Sequence, residues 1–129
     1  MSKPKTINFG FIHEDAKIWK LDILPEEMPI KVLEHNLDIA YLDKEGTDDW
    51  NLTLRELVNN PEKQPGHYER IKNVQMEYPI EIYFFDGSWK ILDGVHRFCR
   101  AIMENQKIIM VRKITDDMIP LILKDSTTL

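Results

Sequence analysis

The chain of 129 residues is long enough for one domain with a hydrophobic core. Apolar residues make up 43% of it and charged residues 30%, which is ordinary for a folded protein and excludes disorder as the main state. No apolar run could span a membrane, and no long apolar segment follows the basic N-terminus as in a secretory signal. The one cysteine, Cys99, cannot form an internal disulfide, so we expect a cytoplasmic protein without a membrane partner.

Positive charge is concentrated in one window of an acidic chain. The net charge is -5 at pH 7, whereas residues 94–113 carry five cations and a single acid, Glu104. Because affinity for phosphate groups depends on summed positive charge, the negative net charge of the chain disfavours nucleic acid as a partner. The basic window favours a small anionic ligand and leaves a short stretch of nucleic acid open. Its cations are Arg97, Arg100, Lys107, Arg112 and Lys113.

The first 60 residues are predicted to form an αβ extension of the main fold. Apolar residues alternate at 7–11 and form a short run at 18–21, which predicts two short strands. Residues 30–37 carry apolar side chains at helical spacing and predict a helix. The acidic segment 43–50 predicts a loop.

Two prolines limit the helices that come next. Thr53 and Glu56 have the spacing of a capping box, which predicts a helix that begins at Thr53 and ends at Pro61. Pro65 can begin another short helix.

Residues 80–92 predict a β-hairpin. The dipeptide Asp86-Gly87 is typical of a two-residue turn. Such a turn opposes two pairs of apolar side chains and places all four on one face. The pairs are Phe84 with Trp89 and Ile82 with Ile91.

An amphipathic helix is predicted from Val95 to Glu104, followed by a strand at 108–114. Five apolar residues of the helix recur at i, i+3, i+4, i+7 and i+8, which predicts one buried face. Because a helix connects the strands at 88–92 and 108–114, we expect these two strands to be parallel. The residues predicted to be buried are Val95, Phe98, Cys99, Ile102 and Met103.

These elements predict an α+β fold in one domain over residues 1–129. A core at 61–114 holds a small mixed sheet made of the hairpin, the helix and the last strand. The αβ extension precedes it, and residues 115–129 are predicted to be a C-terminal tail.

The segment from Asp93 to Arg97 lies where the hairpin leads into the helix. Gly94 suits a turn or a close approach, and Asp93 can cap the helix. His96 and Arg97 fall in the first turn, where a cation costs about 0.3–1 kcal/mol because the helix N-terminus is already positive. An anion bound at the free N–H groups would make these cations favourable instead of costly, because both side chains could then neutralise the charge of the anion. The alternative is that Arg97 forms an ion pair and His96 is neutral. The carboxylates considered for that pair are Glu69, Glu81 and Asp93.

The same segment carries a resemblance to a known family. The sequence Tyr78-Pro79-Ile80, the hairpin, the motif 91–97, a helix and a final strand resemble the core of the ParB/sulfiredoxin superfamily. Residues 67–71 resemble a segment of uncharacterised members that carry an Asp-Gly-x-His-Arg motif. The resemblance covers residues 61–114 and implies a nucleotide-binding core.

Known activities of this superfamily include sulfinic-acid reduction with ATP, CTP-dependent DNA clamping, serine phosphorylation and a nuclease activity. Sulfiredoxin carries a reactive cysteine directly before the His-Arg pair, whereas this chain has Val95 there. Because 15 residues follow Ile114, we do not expect the DNA-binding domain of partition proteins. The resemblance therefore implies nucleotide or phosphate binding, with nucleotide-dependent phosphoryl transfer as the expected chemistry.

Candidate site residues follow from this resemblance. ATP, ADP or CTP, together with Mg²⁺, is the implied cofactor, and Asp93 and His96 are the candidate catalytic residues, with Asp49 as an alternative base. Binding is assigned to Gly94, Val95, His96, Arg97, Arg100 and His67.

The acidic loop and the single thiol have alternative interpretations. The loop could hold Mg²⁺ beside a phosphate, although a solvated loop is favoured; its carboxylates are Asp43, Glu45, Asp48 and Asp49. Cys99 is predicted to be a buried structural thiol, and no histidine spacing indicates a metal site. Two other functions stay open: a nuclease or DNA-binding protein, and a protein-interaction module without catalysis.

Overall fold

A mixed sheet of four strands lies at the centre of the computed structural model, which describes residues 3–47 and 49–125. The strand order is β1-β4-β2-β3. β2 pairs antiparallel with β3 and parallel with β4, and β1 pairs antiparallel with β4. The strands are β1 (Glu26–Pro29), β2 (Ile80–Phe85), β3 (Ser88–Asp93) and β4 (Ile108–Ile114).

Helices cover both faces of this sheet, so the fold is α+β as predicted. None of the helices in the described residues is long and apolar enough to span a bilayer. The α-helices are α1 (Asp15–Trp19), α2 (Leu54–Asn59), α3 (Pro65–Asn73), α4 (Val95–Met103) and α5 (Ile119–Ile122). The 3₁₀ helices are Lys5–Ile7, Ile30–Asp38, Pro61–Lys63 and Asp116–Met118.

Two hydrophobic clusters lie on opposite faces of the sheet, because successive side chains of a strand alternate. The larger cluster packs one face against α2, α3, α4 and the 3₁₀ helix Ile30–Asp38. The smaller one packs the other face against α1 and α5. The sheet contributes Met28, Ile80, Ile82, Ile91, Ile109 and Val111 to the first cluster, and Leu92 and Ile114 to the second.

Several local predictions are confirmed. The hairpin has the predicted register, and the rings of Phe84 and Trp89 are 5.3 Å apart in an edge-to-face contact. α4 ends at Met103 with Glu104 as its C-cap, and the capping box at the start of α2 is formed. Along α4, Phe98 and Cys99 are fully buried. The other three predicted core residues of this helix are only half-buried.

The N-terminal strand predictions are wrong. Residues 7–11 follow the 3₁₀ helix Lys5–Ile7 and form no strand, and residues 18–21 belong to the end of α1 and the turn after it. Short apolar runs do not distinguish a strand from a buried turn, and here the aromatic rings of this segment pack on Tyr83. β1 was missed because it is an edge strand with one buried residue, Met28.

The C-terminal tail prediction is also wrong for the described residues. Within 115–125 the chain forms α5, and Ile122 is fully buried against the second face of the sheet. Leu123 forms an isolated β-bridge with His13. Residues 126–129 lie outside the described part.

β4 does not run parallel to β3 as predicted; it runs parallel to β2. The crossover that joins the two parallel strands therefore consists of β3 and α4 together. β4 pairs with the free edge of β2, because the other edge of β3 is already occupied by side chains.

Those side chains come from residues 36–41. The fully buried Asn36 donates from Nδ2 to the carbonyls of Leu33 and Trp89, each at 3.0 Å. Its Oδ1 accepts from the Tyr41 hydroxyl at 2.6 Å. That hydroxyl accepts from the Ile91 N–H at 2.9 Å. The network satisfies backbone groups that a fifth strand would otherwise pair with.

Tyr41→Phe should lower the free energy of unfolding by about 1–3 kcal/mol, because the Ile91 N–H and the Asn36 Oδ1 would lose a buried partner. Denaturant unfolding measures this loss. Tyr83→Phe is the control: it removes a hydrogen bond to Asp116 at the surface and should cost less than about 1 kcal/mol. Equal losses in the two variants would contradict the role of the network.

Candidate functional site

The start of α4 depends on Gly94. This residue is the N-cap, with φ of +102° in the left-handed region. A Cβ on Gly94 would lie 2.6 Å from Cγ2 of Ile80, so the helix can start this close to β2 only with glycine. Asp93 does not cap the helix as predicted, because its Oδ2 accepts from Nε1 of Trp19 at 2.8 Å.

The first turn of α4 opens on a cavity of about 320 Å³. No side chain caps this helix end, and the N–H groups of residues 95–97 have no acceptor among the described residues. The motif residues 93–97, Val95 among them, line the cavity together with Asp15, Trp19 and Arg70. Free N–H groups at the positive end of a nine-residue helix favour a bound anion.

The N-terminus of α3 is different, because the protein supplies its own anion there. Oε1 of Glu45 accepts from the N–H groups of Gly66 and His67, at 2.6 and 3.2 Å. Glu45 was placed in a solvated or Mg²⁺-binding loop by its sequence, and the structure instead shows a helix cap. Of the two adjacent helices α3 and α4, only α4 has an open N-terminus.

His67 and His96 form a pair beside the cavity. Nδ1 of His67 lies 3.1 Å from Nε2 of His96, and Nε2 of His67 lies 2.8 Å from the carbonyl oxygen of Asp43. The carbonyl can only accept, so Nε2 of His67 carries a proton. In the neutral pair His96 therefore donates from Nε2, and its Nδ1 is an acceptor without a partner among the described residues. The structure thus brings the two predicted histidines together.

Burial and the nearby Arg70 and His67 lower the pKa of His96 to about 4. His96 is therefore neutral at pH 7 and does not by itself neutralise an anion. This agrees with the alternative left open for His96 by the sequence. In the free protein, the unprotonated Nδ1 of His96 can accept a hydrogen bond.

Arg97 does not form the ion pair that was the alternative for its position, since it lies in no salt bridge with another described residue. Its Nε and Nη1 donate to the carbonyl oxygens of Gln75 and Pro79, at 3.2 and 3.4 Å. Its guanidinium lies 5.8 Å from the ring centroid of Tyr78. Arg97 therefore lines the cavity while it holds the segment before β2.

Arg70 was not predicted as a site residue. Its exposed side chain lines the cavity at α4 and also a second one of about 310 Å³ behind the histidine pair. Arg70 has no hydrogen bond or ion pair among the described residues. The sequence feature that could have identified Arg70 is its position three residues after His67 on the same helix. This spacing places both side chains on one face of the helix.

Arg100 lies outside this site. It donates to Glu104 at 3.1 Å and to the carbonyl of Lys72 at 2.9 Å. The basic window does not form one surface, because Arg112 lies 3.5 Å from Glu81 and Lys113 lies 2.9 Å from Glu26. Three of the five cations are thus ion-paired.

The acidic loop does not gather carboxylates for a metal. Asp43 accepts from the Trp50 N–H at 2.5 Å, Asp49 is half-buried, and Asp48 lies outside the described residues. Within 3–47 and 49–125 there is no group of three His, Cys, Asp or Glu residues that could hold a metal ion. Cys99 is fully buried, which raises the pKa of its thiol to about 12 and agrees with a structural role.

A third cavity, of about 410 Å³, adjoins the first and shares Trp19 and Arg97 with it. Glu81 lines it and lies almost completely buried beside Arg112. Burial and the neighbouring Asp93 raise the pKa of Glu81 to about 7, against the pull of Arg112 and Arg97. A carboxyl that titrates near neutral pH is thus part of this site.

Comparison with models of protein families, with curated proteins and with solved structures found no match. The resemblance to the ParB/sulfiredoxin superfamily therefore stays a prediction.

Gly94→Ala should destabilise the protein by roughly 2–4 kcal/mol, because it adds a clash with Ile80 to the cost of a left-handed alanine. Gly87→Ala is the matched control: its φ is +85°, but nothing lies within 4 Å of the added Cβ. The control should cost roughly 1–2 kcal/mol. Equal losses in denaturant unfolding would contradict the close approach.

Glu81 should make the protein more stable as the pH falls from about 8 to about 5. Its pKa is raised above the ordinary 4.5 only in the folded state, so the folded protein holds a proton that the unfolded chain has released. Relative to Glu81→Gln, the wild type should gain about 1–2 kcal/mol over this range. Parallel pH profiles of the two proteins, measured by denaturant unfolding, would contradict the raised pKa.

Proposed function

We propose that this protein binds a small phosphorylated ligand, with nucleotides as the best class, at the start of α4. One observation carries the proposal: the N–H groups of residues 95–97 have no acceptor among the described residues, and these residues line a cavity together with Arg70. Phosphate oxygens can accept several such donors at once.

The contrast with α3 supports this proposal. The carboxylate of Glu45 lies where an anion is stabilised at the N-terminus of α3. At α4 no side chain of the described residues takes that position. A phosphate there would take the position relative to the N–H groups of His96 and Arg97 that Glu45 has relative to those of Gly66 and His67.

Charge around the cavity fits the same ligand. Arg70 has no hydrogen bond or ion pair among the described residues, so it can turn toward a phosphate without breaking one. A bound anion would also raise the pKa of His96, because a nearby negative charge favours the imidazolium. Asp15 and Asp93 also line the cavity, and their carboxyls can accept hydrogen bonds from sugar hydroxyls.

If the protein is a phosphotransferase, His96 is the better candidate for the base. Its Nδ1 is the ring nitrogen of the histidine pair without a partner in the part of the chain that the structure describes, whereas Asp93 is engaged by Trp19. Mg²⁺ would bind together with the phosphates of ATP, ADP or CTP, since it commonly uses few protein ligands.

Calorimetric titration with ATP, ADP and CTP, with and without Mg²⁺, tests the binding site. Arg70→Gln should weaken binding of the best nucleotide by roughly 10–100-fold, because a charge-assisted contact is lost. Its melting temperature should not change. Arg100→Gln removes the same charge outside the cavity and should change the affinity by less than about twofold. Absence of binding to the wild type, or equal effects of the two variants, would contradict the proposal.

A protein-interaction module is the second candidate. It is favoured by exposed apolar side chains where residues 12–14 pair with residues 122–124. Ile12 is 72% exposed and Leu123 is 38% exposed, and their segments pair through backbone hydrogen bonds. Absence of nucleotide binding in the titration above would favour this candidate. DNA binding is disfavoured because most cations of the basic window are ion-paired.

A further inference from the structure

The cavity of about 410 Å³ beside the α4 site has two aromatic walls. Trp19 is 59% exposed and Tyr78 is 54% exposed, although large aromatic rings are usually buried. Both rings are held in place: the indole N–H of Trp19 donates to Asp93, and the guanidinium of Arg97 lies over the ring of Tyr78. Fixed, exposed aromatic rings are stacking surfaces for planar groups.

The polar end of this cavity is incomplete. Oε1 of Glu81 and Nε of Arg112 are buried and have no hydrogen-bond partner among the described residues. Oε2 of Glu81 lies 3.5 Å from Nη1 of Arg112, so the unpaired acceptor and the unpaired donor belong to neighbouring side chains. Buried polar atoms without partners are rare and unfavourable. Both side chains line the cavity, so a ligand with an N–H donor beside an acceptor would satisfy both atoms once the side chains turn toward it.

Each nucleobase has such an edge on a planar ring. Exocyclic amino groups and ring N–H groups lie beside ring nitrogens or carbonyl oxygens, whereas sugars and bare phosphates have no planar ring. Trp19 and Arg97 line both this cavity and the cavity at the start of α4. One molecule with a phosphate and a base can therefore reach both.

We infer that the cavity between Trp19 and Tyr78 is the subsite for the base of a nucleoside phosphate. The base stacks on these rings and directs its polar edge toward Glu81 and Arg112. The inference rests on the proposed phosphate site and identifies its ligand as a nucleotide rather than a sugar phosphate. Specificity for the base then resides in Glu81.

Titration of AMP, CMP, GMP, UMP and ribose 5-phosphate, which lacks the base, tests this subsite. At least one nucleotide should bind the wild type about tenfold or more tightly than ribose 5-phosphate, because stacking adds to the affinity. Trp19→Ala and Tyr78→Ala should each reduce this ratio severalfold. Tyr78→Ala should also leave the affinity for ribose 5-phosphate nearly unchanged, because Tyr78 lines this cavity and not the one at the start of α4. Glu81→Gln should change the order of preference among the four bases.

Phe84→Ala is the matched control, because Phe84 is also 54% exposed but lies on the hairpin outside this cavity. It should leave the ratio unchanged, and melting curves verify that each variant is folded. If ribose 5-phosphate binds as tightly as every nucleotide and binding still depends on Arg70, the base subsite is refuted while the phosphate site stands. A nucleotide preference that survives in both the Trp19 and the Tyr78 variant also refutes it. If no compound binds, the proposed function fails, and the inference fails with it.

Discussion

The contact between Gly94 and Ile80 determines where the candidate site can form. A glycine with φ of +102° lets the chain leave β3 and enter α4 directly against β2, where a Cβ would lie 2.6 Å from a methyl carbon. The start of α4 is thereby held at the end of the sheet, and glycine brings no side chain to cap it. The same constraint thus positions the helix and leaves its N–H groups open.

The N-terminal segment completes both the sheet and the site. Asn36 and Tyr41 satisfy the outer edge of β3, so that β4 pairs with β2. On the opposite face, Nη2 of Arg112 donates to the carbonyl oxygens of Ile18 and Leu21, at 3.1 and 2.8 Å. This ties α1 to β4 and carries Trp19 to the border between the two cavities. Removal of the segment from α1 to Tyr41 would therefore change the site as well as the core.

Some charged side chains at the cavities have hydrogen-bonding groups that no other described residue satisfies. Arg100, Lys113 and Arg55 are in ion pairs, which at a surface contribute little to stability. Arg70 has no partner among the described residues, and one oxygen of the buried Glu81 is unpaired. Groups that the fold itself does not satisfy are available to a ligand. An acidic chain can in this way offer a local site for an anion.

The sequence by itself determined the elements that depend on local interactions. The Asp86-Gly87 turn set the hairpin register, the pair Thr53 and Glu56 set the start of α2, and apolar spacing set α4. These features involve residues a few positions apart, so spacing alone reveals them. The sequence also placed His96 and Arg97 correctly at the helix start, because the helix boundary was correct.

Only the tertiary structure decided the pairings between distant segments. Glu45 caps a helix about 20 residues away, and β4 pairs with β2 because side chains from the N-terminal third occupy the edge of β3. The meeting of Glu81 with Arg112 likewise needs the parallel pairing of β2 with β4. Such contacts follow from which edges and faces remain free after the rest of the chain has packed. No local pattern in the sequence carries that information.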